Sequence, residues 1–149
     1  MRYLIDTSVL ARRADENSPL RPVCTQAVRT LLLADEQVYI CAQVLIELRA
    51  VATRPVDVNG MGLASAEAAA LLRSIRRSLD CLPEPADMAD RWQDLAEQYD
   101  VLGKQAHDAR LAALMLAHGV THILTLNPGD FARYEGITPV SPHDIHQTP

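Results

Sequence analysis

Short apolar runs alternate with longer amphipathic segments along the whole of this chain. The short runs are about five residues long, the usual length of a buried strand. They predict strands at residues 1–5, 38–42, 122–126 and 137–140. In the longer segments apolar residues recur every three or four positions, which is typical of helices that pack one face against a core.

Polar residues and prolines mark where the predicted helices begin and end. Asp6 precedes the first helix, Ser18 and Pro19 begin the second, and Pro55 ends the third. Further along the chain, helices are predicted at residues 43–53, 65–80, 87–99 and 103–119. Residues 56–63 contain two glycines and are interpreted as a loop, either plainly solvent-exposed or forming a wall of a substrate groove.

Strands that alternate with helices predict βα units, and therefore an α/β fold with a mostly parallel sheet covered by helices on both faces. A chain of 149 residues is long enough to bury one core. We therefore expect a single domain over residues 1–149, with an irregular, proline-rich tail from about residue 141.

Composition narrows the class of protein. With 48% hydrophobic and 22% charged residues the chain is typical of globular proteins. Its apolar runs are far shorter than the roughly 20 residues of a membrane span, and Asp6 comes too early for a signal peptide. We expect a cytoplasmic protein without membrane contact.

The three cysteines lack metal-binding spacing and are expected to be small buried residues. The net charge of the chain is -5, which is unusual for a nucleic-acid binder.

Asp108 is out of place in the helix predicted at 103–119. Its spacing puts it on the same stripe as Leu111 and Met115, which are apolar. A lone carboxylate that faces a core is costly unless another group pairs with it or coordinates it. Lys104, one turn earlier, is one candidate partner, and a metal ion is the other.

Glu47 repeats this anomaly in the helix predicted at 43–53. It shares an apolar stripe with Val44 and Val51, so it too requires a partner. An arginine of the same helix, Arg49 or Arg54, is the ordinary explanation.

Two further acids, Asp6 and Asp130, follow predicted strands directly or within a short turn. Ligands of open parallel sheets bind at the carboxyl ends of the strands, so both acids are expected at that rim. Each also has a plainer interpretation, since Asp6 suits a helix N-cap and Asp130 suits the positive end of a short helix.

Four converging carboxylates would raise one another's pKa values. A divalent cation such as Mg²⁺ or Mn²⁺, which prefers carboxylate oxygens, resolves this repulsion.

Four segments in this order carry a family resemblance: YLIDTSVL, QVLIEL, HDARLAALMLAHG and LTLNPGDF. Together they resemble a PIN-domain ribonuclease of the VapC toxin type, over nearly the whole chain. The resemblance implies a three-layer α/β/α fold and a metal-dependent endoribonuclease that hydrolyses RNA by a metal-activated water. It also implies Mg²⁺, with Mn²⁺ as the alternative ion.

The resemblance assigns roles residue by residue. Asp6, Glu47 and Asp108 match the three core acids of the family. Many relatives have an aspartate where this chain has Asn127, whereas Asp130 is present, so the resemblance leaves open which of these two helps to hold metal. Thr7 and Ser8 are supporting residues that orient a metal-bound water or a phosphate oxygen.

Basic residues beside these segments are candidates for phosphate contact, with solvated structural charges as the alternative: Arg12, Arg13, Lys104 and Arg110. The resemblance further implies a homodimer and a small VapB-like antitoxin. The C-terminal segment of that antitoxin would cover the active site and supply an arginine to it.

Two other functions compete with a nuclease. One is a catalytically inert PIN-like module that binds RNA or protein, although clustered buried acids serve no purpose on a binding surface. The other is a phosphoryl-transfer or receiver-type domain, which requires a lysine after a late strand. Lys104 is the sole lysine and precedes the third acidic segment, which disfavours that class.

Overall fold

Strands and helices alternate throughout residues 1–146, the part of the chain that the structure, a computed structural model, describes. The strands are β1 (Arg2–Ile5), β2 (Gln37–Cys41), β3 (Asp80–Leu82), β4 (His122–Leu124) and β5 (Thr138–Val140). The helices are α1 (Thr7–Ala14), α2 (Arg21–Leu33), α3 (Ala42–Thr53), α4 (Ser65–Ser78), α5 (Met88–Gln98) and α6 (Gln105–His118). Three short 3₁₀ turns lie at Val56–Val58, Pro128–Asp130 and Pro142–Asp144.

The five strands form one sheet in the order β3-β2-β1-β4-β5, and every neighbouring pair is parallel. Tyr3 of β1 lies opposite Val38 of β2 on one side and opposite His122 of β4 on the other. After β1 the chain adds β2 and β3 on one side of this strand, and it then adds β4 and β5 on the other side. Such a reversal opens a crevice at the carboxyl ends of β1 and β4.

The interior of the sheet is apolar because its central strands are covered on both faces. Leu4, Ile5, Ile40 and Ile123 are fully buried. On one side α5 packs against α6, while α1 packs against α2 and α3. The predicted three-layer α/β/α architecture is confirmed, with a wholly parallel sheet.

Helix α6 supplies much of the core and ends where the sequence indicates. Leu111, Leu114 and Met115 are almost completely buried on it. Gly119 follows the helix with a φ of 64°, and its N–H contacts the carbonyls of the last turn. Glycine adopts this left-handed conformation without the steric penalty of a Cβ, so it suits a helix C-terminus.

The edge strand β3 was not among the predicted strands. The helix predicted at 65–80 ends at Ser78, and Asp80–Leu82 pairs with β2 instead. Three residues are too few for a periodic signal, and two of them, Asp80 and Cys81, are exposed. An edge strand of this kind is specified by its neighbour in the sheet more than by its own apolar pattern.

Other boundaries differ by a few residues. The second helix begins at Arg21 instead of Ser18, because the Ser18 hydroxyl accepts the Leu20 N–H (3.2 Å) in the preceding turn. Cys24 and Cys41 are buried as expected, whereas Cys81 is exposed. Residues 147–149 of the predicted tail lie outside the described range. Within that range, none of the helices has the length and apolar character needed to cross a membrane.

Candidate functional site

Asp6 lies at the crevice between β1 and β4. Its backbone N–H donates to the Leu124 carbonyl (3.0 Å), which ties the end of β1 to the end of β4. Its side chain caps α1 by accepting the Thr7 N–H at Oδ1 (2.8 Å). Oδ2 accepts the hydroxyls of Ser8 and Thr125, both at 2.8 Å. Asp6 is therefore an N-cap and also part of a shared polar site.

The environment of Asp6 acts on its charge in two directions. Burial raises the pKa of this carboxyl above its ordinary value, and the charge of Glu47 adds to the rise. The hydrogen bonds from Thr125, Ser8 and Thr7 lower the pKa, because they favour the ionised form. Asp6 is thus a buried acid with fixed oxygens and a pKa that is raised overall.

Glu47 lies on the first half of α3 and faces the same crevice. Its Oε2 accepts the Thr7 hydroxyl (3.1 Å) and its Oε1 accepts the side-chain amide of Gln43 (2.8 Å). Thr7 thus links the two acids, donating its N–H to Asp6 and its hydroxyl to Glu47. Arg49, offered above as a partner of Glu47, donates to the Ser65 hydroxyl instead (2.8 Å).

Gln43 fixes the position of Glu47 and was not identified from the sequence. Its Nε2 donates both to Glu47 Oε1 and to the His107 carbonyl, each at 2.8 Å, so it joins α3 to the first turn of α6. Its Oε1 accepts Arg110 Nη1 (3.0 Å), which sets the orientation of the amide. Arg110 Nη2 in turn donates to Glu84 (3.0 Å). The one sequence signal was the spacing of four residues between Gln43 and Glu47.

Asp108, in the first turn of α6, is half-buried and differs from Asp6 and Glu47 in having no donor. None of the hydrogen bonds or ion pairs within residues 1–146 engages its carboxylate, so the alternative pairing with Lys104 is absent there. Burial raises the pKa of Asp108 from 3.8 to about 6, and the charges of Asp130, Asp6 and Glu47 add to the rise. The nearby His107 acts in the opposite direction.

A cleft of about 500 Å³ brings three of the four predicted acids together: it is lined by Glu47, Lys104, Gln105, His107, Asp108 and Asp130. Asp130 lies in the exposed 3₁₀ turn that follows β4, which places its charge near Asp108. Asp6 contributes from behind this cleft, through its charge and through Thr7. We call this the acidic cleft.

The donor set of the acidic cleft suits a hard divalent cation, because carboxylates are the ligands that Mg²⁺ and Mn²⁺ prefer. The unpartnered Asp108 carboxylate is an available ligand, and its raised pKa shows that an added positive charge would stabilise it. In the described range, however, no three side chains of His, Cys, Asp or Glu are grouped closely enough to hold one ion. The chemistry fits a metal, while its binding requires the acids to draw closer.

The other predicted site residues divide between two clefts. Lys104 lines the acidic cleft, whereas Ser8, Arg12 and Asn127 line a separate cleft. Asn127 contributes its backbone N–H to the Thr125 hydroxyl (3.0 Å).

Two of the predicted phosphate contacts are placed elsewhere. Arg13 lines neither the acidic cleft nor the cleft that contains Arg12. Arg110 is engaged by Gln43 and Glu84, so in this conformation it buttresses α3 instead of projecting into a cleft.

Substitution Gln43→Leu is expected to lower the free energy of unfolding by about 1–3 kcal/mol. The change removes the only bond from α3 to the His107 carbonyl within residues 1–146 and leaves Arg110 with one partner fewer. Urea denaturation measures the difference. Gln93→Leu is the matched control, since Gln93 also donates to a glutamate four residues later, but on an exposed surface. Its effect should stay within about 0.5 kcal/mol. Equal effects for the two variants would contradict the assigned role of Gln43.

Substitution Asp108→Asn is expected to stabilise the metal-free protein at neutral pH. The pKa of Asp108 in the folded protein lies above its ordinary value. The contribution of this group to stability is therefore fully present below pH 3.8 and is lost as the pH rises through about 6. At pH 7.5 in EDTA the variant should melt about 2–4 °C higher, a shift that corresponds to about 1 kcal/mol in a domain of this size once solvent screening is allowed for.

The gain from Asp108→Asn should shrink between pH 6 and pH 4, which thermal melts at several pH values measure. Asp94→Asn, an exposed acid on α5, is the control. A gain that does not change with pH would contradict the assignment.

The comparisons with known proteins agree with this fold. A family model described as PIN domain matches residues 3–137. The chain is structurally similar to VapBC2 from Rickettsia felis (15% identity, TM-score 0.71, covering 95% of this chain and 98% of that one). It is also similar to VapBC-1 from nontypeable Haemophilus influenzae (14% identity, TM-score 0.70, covering 97% of this chain and 100% of that one).

A third similar structure is VapC20 from Mycobacterium tuberculosis, described as a toxin that cleaves the sarcin-ricin loop (18% identity, TM-score 0.64, covering 92% of this chain and 99% of that one). No significant match is found among curated protein sequences. At these identities the solved structures establish the fold, and the family model establishes the membership. The chain belongs to the PIN domain family.

Proposed function

We propose that this protein is a metal-dependent endoribonuclease and the toxin of a VapBC-type pair. The observation that carries the proposal is the Asp108 carboxylate, which is half-buried, has no donor in the described range, and has a pKa raised by burial and then by the charges of three neighbouring acids. Such an arrangement is unfavourable for stability by itself, and perturbed acids of this kind concentrate at functional sites. Membership of the PIN family and the likeness to VapC toxins support the same conclusion.

In the proposed mechanism the acids hold Mg²⁺ or Mn²⁺ beside the scissile phosphodiester. When bound, such an ion polarises the phosphoryl oxygen, activates a water molecule and offsets charge on the leaving oxygen. Asp6 and Asp108 are the principal ligands, while Glu47 and Asp130 complete the ligand set or hold its water molecules. Lys104, which lines the same cleft, contacts a phosphate.

The residues around the acids hold them in position for this reaction. The hydroxyls of Ser8 and Thr125 hold Oδ2 of Asp6, and the Thr7 N–H holds Oδ1. The side-chain amide of Gln43 holds Oε1 of Glu47. Asp108 is free to turn towards a cation. Binding one ion would require the acids, which are not grouped in the described range, to move closer together.

The double substitution Asp6→Asn with Asp108→Asn is expected to reduce RNA cleavage by more than about 100-fold. Loss of one residue that only supports a metal ligand lowers activity by up to about 100-fold, and here two ligands are lost. Cleavage of single-stranded RNA in Mg²⁺ or Mn²⁺ is the first measurement. The second is the melting temperature, which should rise with Mn²⁺ in the wild type and not in the variant. Asp90→Asn with Asp94→Asn, two exposed acids of α5, is the matched control.

Two outcomes would contradict the nuclease. Full activity in a folded double variant would remove the acids from the mechanism. A wild type that neither cleaves RNA nor is stabilised by Mn²⁺ would favour the inert PIN-like binding module instead, a function that does not require the acids to be grouped around an ion.

The proposal includes a cytoplasmic setting, a homodimer and a VapB-like antitoxin. Solved structures similar to this chain are described as VapBC complexes, and a guanidinium from a partner would find charged acceptors in the acidic cleft. Co-expression with the product of the adjacent reading frame should yield a complex on size exclusion in which RNA cleavage is suppressed. The protein alone should elute as a dimer. A monomer that is indifferent to that neighbour would contradict the toxin assignment.

A further inference from the structure

A second cleft, of about 770 Å³, adjoins the acidic cleft and is not explained by metal binding. Thr7 and Ser8 form part of its wall, and these are the residues whose hydroxyls donate to Glu47 and Asp6. A molecule bound in it would therefore lie one side chain away from the acids. We call this the polar cleft.

One wall of the polar cleft is an ordered loop at residues 55–63. Met61 N–H donates to the Val51 carbonyl (3.0 Å) and Gly62 N–H to the Arg54 carbonyl (2.8 Å), so the loop folds back on the end of α3. Asn59 stands at its tip with a φ of 62°, in the left-handed region. The cleft is therefore formed by hydrogen-bonded backbone before any ligand arrives.

The polar groups of this cleft are suited to hydrogen bonding with the polar edge of an uncharged ligand. The side chains of Asn59, Asn127 and His143 line it, and within residues 1–146 none of these side chains forms a hydrogen bond to protein. Amide and imidazole groups each offer a donor and an acceptor. Arg12 and Asp15 also line the cleft, and their opposite charges leave little net attraction for a phosphate.

Apart from Ser141, the remaining lining is apolar or glycine and includes Leu20, Val51 and Met61. Flat apolar faces with polar edges are the chemistry of a nucleobase, and proteins read single-stranded RNA through base edges and base faces. A cleft of this size is large enough for a base with its sugar.

We propose that the polar cleft binds a nucleobase of the RNA strand next to the scissile phosphodiester, and that it thereby sets the sequence preference of cleavage. This inference rests on the proposed nuclease function. It assigns specificity to the polar cleft and catalysis to the acidic cleft. Thr7 and Ser8 line the polar cleft and connect it to the acids through their hydrogen bonds to Glu47 and Asp6.

Two substitutions test the proposal without touching the acids or their hydrogen-bond partners. Asn59→Gly removes the amide and retains the left-handed backbone, which glycine adopts freely. His143→Ala removes the imidazole. Asp35→Gly is the matched control, since Asp35 also has a positive φ (56°) and does not line the polar cleft.

The measurement is cleavage of a randomised single-stranded RNA pool in Mg²⁺ or Mn²⁺, followed by kcat/KM for the preferred sequence and for a disfavoured one. Each variant is expected to lower the ratio of these two values by about 5- to 100-fold, the range that one specific base contact supplies. The control should keep the wild-type ratio.

Failure of this inference is distinguishable from failure of the proposed function. Should both variants cleave RNA with the wild-type ratio, the polar cleft does not read bases although the protein is a nuclease. An equal loss on every sequence would also overturn the inference, because it indicates a phosphate contact. Absence of metal-dependent cleavage by the wild type would overturn both proposals together.

Discussion

Carboxylates that follow β1 or lie on α3, α6 and the turn after β4 are brought to the carboxyl end of one parallel sheet. Burial there, with mutual repulsion added to it, disfavours the ionised forms of Asp6 and Asp108, and this effect dominates the physics of the site. The topology forces the meeting, since β1 and β4 are neighbours whose ends open at the same rim. Repulsion does not vanish by folding, so the protein has to offset it locally or leave it for a ligand to neutralise. The structure does both, at different acids.

Asp6 and Asp108 illustrate the two ways in which a buried acid is accommodated. Asp6 is more deeply buried, yet three donors from Thr7, Ser8 and Thr125 hold it in one orientation. Asp108 has no such donors in the described range, and its pKa rises to about 6. The first arrangement fixes the orientation of the carboxylate, although burial still raises the pKa of Asp6 overall. The second leaves an acid whose energy falls when a cation arrives, which is what a ligand site requires.

Much of this could be predicted from the sequence, and the failures have physical causes. Glu47 and Asp108 were identifiable because an acid among apolar residues conflicts with a local period that is otherwise consistent. The edge strand at Asp80–Leu82 was missed because its pairing with β2 specifies it. The alternative partner Lys104 does not pair with Asp108 in the described range, since sequence spacing gives proximity along a helix but not the direction of either side chain. Gln43 was missed for the same reason, since its contacts with His107 and Arg110 join distant segments.

Net charge places a further condition on how such a site can recognise RNA. The chain carries a charge of -5, and the acidic cleft adds its acids to that field with Lys104 as its one lining lysine or arginine within residues 1–146. Arg110 does not relieve this, because Gln43 and Glu84 engage it. Electrostatic attraction of phosphate by the protein alone is therefore weak, unlike that of basic nucleic-acid binders. Under the proposed function the cation has two effects, gathering the acids and offsetting their negative charge, so that metal binding and substrate binding are coupled.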